Sequence, residues 1–93
     1  MVRELPSKLN GSSLHVLVYS NTCKDGTTIA KLVASILSDE GININDLGFH
    51  VRHNFYRRVD NAVRSLSRSK MLVIERTYKP STIQPHLIIK RNP

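Results

Sequence analysis

Arg57, Asn61, Arg64 and Arg68 are spaced four, three and four residues apart. At 100° per residue, a helix would gather all four into a stripe roughly 60° wide and about 16 Å long. The chemistry such a stripe can do is recognition. A guanidinium offers a fork of N–H donors that suits phosphate oxygens or the O6 and N7 of guanine, and an Asn side chain can pair with N6 and N7 of adenine. One acid, Asp60, stands against four arginines between 57 and 68, too few to neutralise them. The plain alternative is a solvated cationic face with no ligand.

No other set of residues rivals this one. Four histidines (His15, His50, His53, His86) invite a metal, and His50 and His53 are three apart, but no cysteine or carboxylate cluster accompanies them. Surface or capping roles fit them better, and no metal site is expected. Cys23 is the single cysteine, which excludes an internal disulfide, and beside Lys24 its thiol pKa could be lowered. With no histidine near it in sequence, no catalytic role is expected. Neither a Ser/His/Asp set, nor a carboxylate pair, nor a phosphate-loop spacing is present. The chain therefore reads as non-enzymatic and without a cofactor.

Charge points the same way once it is located. The 93 residues carry a net charge of +7. Residues 1–50 hold four cations and five anions, net −1, whereas residues 51–93 hold ten cations and two anions, net +8. A basic half beside a neutral half suggests a directed surface for phosphates, with nucleic acid first and an anionic membrane surface second. Five aromatics and no Trp argue against a stacking platform for single strands. No apolar run approaches the length of a membrane span, and the start at Met1 has no apolar signal region, so a soluble, intracellular domain is expected.

The elements that must position these residues follow from periodicity. Residues 1–13, with Pro6, Gly11 and two serines, read as a flexible arm ahead of a single domain over 14–93. Leu14–Tyr19 is short and apolar, so it reads equally as a buried strand or as a helix capped by Ser12 or Ser13. Residues 20–26 form a loop ending in Asp25-Gly26. A helix over 28–40 is the clearest element: Ile29, Leu32, Val33, Ile36 and Leu37 keep one face, Thr27 or Thr28 can cap it, and Gly41 can end it. A small strand is expected at 42–44 and a short helix over 45–52, opened by Asn45. After a turn at His53-Asn54, a longer amphipathic helix over 54–69 packs through Phe55, Val59, Ala62, Val63 and Leu66. A β-hairpin over 71–90 closes the chain, turning at Lys79-Pro80-Ser81, with Pro85 unable to donate to a ladder.

This order, from Ile29/Leu32/Val33/Ile36 through Ile42-Asn43-Ile44, Asn45-Asp46-Leu47 and Phe55…Leu66 to Met71-Leu72-Val73-Ile74, resembles the winged helix-turn-helix superfamily over about residues 27–91. The resemblance implies an α+β fold of three helices plus a C-terminal wing, with 14–19 an extra strand or helix. It also implies double-stranded DNA as partner, in a small regulator of transcription, replication or partition. Helix 54–69 would enter the major groove and the 71–90 wing would lie on the backbone or minor groove. Arg57, Arg58 and Asn61 would then stand nearest base edges, and Arg64, Ser65, Arg68, Lys70, Arg76 and Lys79 would serve phosphates. Residues 1–20 are the candidate interface of a homodimer.

Two alternatives remain. The same helix could bind an acidic protein or RNA. Separately, the loop at 20–28, between an apolar run and a helix, looks like the phosphate-binding start of a flavodoxin-like domain. About two or three strands are too few for such a sheet, and it would leave the Arg stripe unexplained.

Overall fold

The computed structural model describes residues 5–77 and 86–92. Its elements are α1 (Gly11–Asn21), α2 (Ile29–Asp39), α3 (Phe49–Arg68), β1 (Leu72–Thr77) and β2 (His86–Arg91), with single 3-10 turns at Ser7–Leu9 and Ile44–Asp46. The fold is α+β: three helices and an antiparallel hairpin in which Leu72 faces Arg91 and Thr77 faces His86.

The core joins every layer. Leu14 and Val18 of α1, Leu32, Val33, Ile36 and Leu37 of α2, and Leu72 and Ile89 of the strands meet all five apolar residues expected on α3. Burial of these side chains, each of the larger ones stabilising by about 1.5–3 kcal/mol, is what sets the helices against the hairpin. The segment 14–19 is helical. Leu14 and Val18, one turn apart, both face inward, and the Thr22 hydroxyl closes the helix by donating to the Val18 carbonyl at 2.7 Å. The flavodoxin-like alternative needed a strand here and a parallel sheet, and the geometry supplies neither among the described residues. The packed chain also starts earlier than the expected arm allows: Leu9 is fully buried, and residues 11–13 form the first turn of α1.

α2 matches its expected span. Thr28 accepts a hydrogen bond from the Lys31 amide at its start. At its end Gly41 takes a left-handed φ of 71°, so that the Gly41 and Ile42 amides reach back to the Ser38 and Leu37 carbonyls. The expected strand at 42–44 is absent. Ile42 completes the closure of α2, and Ile44 begins a 3-10 turn.

A third strand position lies elsewhere, at Thr27, which exchanges both backbone hydrogen bonds with Ile89 at 2.8 and 2.9 Å. Gly26 makes this approach possible. Its φ is 104°, and a Cβ there would lie 2.5 Å from Cγ2 of Ile88.

The expected pair of helices at 45–52 and 54–69 is one helix, α3, about 30 Å long. Val51, half-buried, carries the apolar spacing into Phe55 without a break, and Asn54 points outward, so it does not compete with the helix backbone. Gly48 precedes the first turn and offers no side chain to cap it.

Arg91, one residue beyond the expected hairpin, ends β2 and closes α1. Its Nε donates to the Tyr19 carbonyl at 3.3 Å and its Nη2 to Ser20 at 3.1 Å, while the guanidinium lies 4.9 Å from the Tyr19 ring centroid. A cation on the last carbonyls of a helix complements the negative end of its dipole.

Candidate nucleic-acid interface

The face of α3 opposite its buried side is a cationic strip. Arg57, Asn61, Arg64 and Arg68 are all exposed, because the phase that buries Phe55, Val59, Ala62, Val63 and Leu66 forces residues half a turn away toward solvent. Continuity of the helix lengthens the strip. His50 and His53, both exposed, fall within a band roughly 80° wide with the four expected residues, which extends it to about 27 Å. The unbroken Val51–Phe55 spacing was the signal in the sequence that could have placed the two histidines there.

The nine expected site residues divide into groups. Arg57, Arg58 and Asn61 line one shallow depression together with Asn54, so the base-reading candidates do converge. Arg58 also has a partner outside the depression. Its Nη1 donates to Oδ1 of Asn10 at 2.6 Å, tying α3 to the residue that precedes α1. Asn10 makes no capping bond to its own helix; its side-chain oxygen serves Arg58 instead.

Arg64 donates through Nε to Oδ2 of Asp60 at 3.0 Å, one turn back. An exposed pair of this kind contributes only about 0.3–0.5 kcal/mol, and it leaves the terminal nitrogens of Arg64 available. Arg64 and Asp60 also line a crevice with Arg76 of β1, along with Ile74 and Leu87. Helix and hairpin cations therefore meet at one place. Ser65 is half-buried at the edge of the strip, and Arg68 is exposed in the last turn of α3. Lys79 and the turn around it, like Pro85, lie outside the described residues.

Lys70 has a backbone role that its sequence context does not announce. Its φ is 64°, the one left-handed non-glycine position among the described residues. It ends α3 as Gly41 ends α2: the Lys70 amide bonds the Ser67 carbonyl, and the Met71 amide bonds the Leu66 carbonyl. Asn92 holds the corner by donating through Nδ2 to the Lys70 carbonyl at 2.6 Å. An L residue held left-handed costs about 1 kcal/mol. Lys70→Gly is therefore expected to raise stability by up to about 1 kcal/mol in urea unfolding, while removing one cation from the end of the strip. An unchanged or lowered unfolding midpoint would show that the corner carries no strain.

Elsewhere, charges serve the fold. Lys8 pairs with Glu40 at 2.6 Å and Lys90 with Glu75 at 3.1 Å. The segment 1–20, expected between copies of the chain, directs Leu9, Leu14 and Val18 into the protein's own core, with Val16 its large exposed apolar residue. Among the described residues no three His, Cys, Asp or Glu side chains gather as a metal site, and no helix is long and apolar enough to cross a membrane. No protein-family model matches the chain, and neither a curated protein nor a solved structure does.

Proposed function

We propose that the protein is a winged helix-turn-helix module that binds double-stranded DNA without catalysing a reaction. The observation that carries this reading is the outward face of α3, where Arg57, Asn61, Arg64 and Arg68 stand opposite the core with Asp60 as the acid among them and Arg76 of β1 beside Arg64. In this reading α2 and α3 form the helix-turn-helix, α1 packs behind them, and β1 and β2 form the wing with Thr27 as the third strand. The assignment differs from the expected one because a single helix, α3, stands where helices at 45–52 and 54–69 were expected, so that α1 supplies the third helix.

The physics of the docking is direct. A major groove about 12 Å wide admits a helix such as α3. Arg57 and Asn61 supply donor patterns that suit purine edges. Arg64, Arg68, Lys70 and Arg76 neutralise phosphates and release the counterions condensed on them. The choice among transcription, replication and partition adds nothing to this chemistry.

The test is binding to random duplex DNA, to RNA and to polyglutamate across a salt series. With about four phosphates neutralised, the logarithm of the duplex association constant should fall with a slope of about −4 against the logarithm of salt. Binding without salt dependence, or equal binding of polyglutamate, overturns the DNA reading. A clear preference for RNA replaces it with the RNA-binding alternative.

A further inference from the structure

Because α3 starts at Phe49, an aromatic group leads the helix, with Arg57 eight residues behind it, about 12 Å along the axis. Phe49 is 66% exposed. Its ring has two aromatic neighbours. It stacks on His53, with centroids 5.9 Å apart and planes 8° from parallel, and it meets the edge of His50 at 5.6 Å and 75°. One face of the phenyl ring is thus stacked on His53, and both neighbours belong to the cationic strip. An apolar ring held in this way loses little conformational freedom when it meets a ligand.

We propose that Phe49, steadied by His53, reads the 5-methyl group of a thymine in the major groove. The inference rests on the proposed DNA binding by α3. Residues in the first turns of a groove-bound helix are those that reach base edges, and the apolar feature a base pair offers there is the thymine methyl. Charge calls for an anionic occupant, and the apolar ring and amide groups set among the cations favour the base edges of duplex DNA over the carboxylates of an acidic protein. Phe49 leads into a face that exposes Arg57, Arg64 and Arg68, with the amide groups of Asn54 and Asn61 exposed on the same helix and lining one depression with Arg57.

The experiment first selects a preferred duplex from a random pool and then replaces its thymines one at a time by deoxyuridine. That change removes a methyl group and keeps every hydrogen-bonding group. At one position the full chain should lose about threefold to tenfold in affinity, in keeping with the transfer of one methyl from water. Phe49→Ala should bind the thymine and deoxyuridine duplexes alike, and His53→Ala should show an intermediate sensitivity. Phe49→Leu, which keeps an apolar group, should retain part of the discrimination. Unchanged far-UV circular dichroism and thermal midpoint in these variants would show that the fold is intact.

Indifference of the full chain to every replacement overturns the inference while the salt-dependent duplex binding stands. Methyl sensitivity that persists in Phe49→Ala also overturns it, because another side chain then makes the contact. Loss of polyglutamate binding in Phe49→Ala, with duplex binding and its methyl sensitivity untouched, overturns it in favour of an acidic protein partner. Absence of salt-dependent duplex binding overturns both the inference and the reading beneath it.

Discussion

Phe55→Ala should lower the free energy of unfolding by about 3–5 kcal/mol, the largest loss expected from any single substitution in α3. Phe55 is fully buried and heads the large side chains of the core, on the helix that packs against both α1 and α2. Its removal deletes an aromatic ring's transfer energy and leaves a void that helices fixed by Leu14, Val18, Leu32 and Leu66 can fill only in part. Small domains are stable by only about 5–15 kcal/mol, so the variant should be partly unfolded at 37 °C or close to it. Urea unfolding followed by circular dichroism measures the effect, with a lowered midpoint and an unchanged slope. Phe49→Ala is the matched control. The same residue type six positions earlier is two-thirds exposed, so its loss should change stability by no more than about 0.5 kcal/mol. Equal losses from the two substitutions would mean that α3 is rotated from the phase described, and the cationic strip would lose its basis.

That contrast also shows what a sequence of this kind reveals. The side of α3 that faces the core could be read because a helix's period assigns every residue to a side once one apolar run is phased. The cationic strip is the complement of that run. α2 could be read for the same reason, and Gly41 marked its end because a left-handed position favours glycine. The expected break at His53-Asn54 is absent because Asn, a good cap, also sits exposed inside a helix at only the modest cost of its propensity. The expected strand at Ile42–Ile44 is absent because the closing turn of α2, rather than the local preference of two β-branched residues, places Ile42. Thr27 pairing with Ile89, Arg58 reaching Asn10 and Arg91 closing α1 connect residues far apart in the chain. No local period encodes such contacts. They arise when the core brings distant backbone together, and they give Arg58 and Arg91 partners that charge counting alone does not reveal.

Arg57→Ala and Asn61→Ala should each cost about 1–3 kcal/mol of binding at a preferred duplex site and relax the preference at the base each one reads. The two side chains line the same depression, one turn apart on the exposed face, so their effects need not add. If they address neighbouring bases independently, the double variant should lose about 2–6 kcal/mol and bind all duplexes at the level of its phosphate contacts. If they brace one another, the double variant should lose less than the sum. Arg68→Ala is the comparison that separates reading from anchoring. Set against phosphate, it should weaken every duplex alike and reduce the salt slope by about one unit, with the sequence preference kept. Arg58→Ala should act through the protein instead, since its guanidinium is held by Asn10: stability falls and the base preference does not change. Shift assays on the selected site and on single-base variants of it decide among these outcomes. A preference left intact in both Arg57→Ala and Asn61→Ala would remove the centre of α3 from the reading surface. Sequence recognition would then rest with the first turn of the helix.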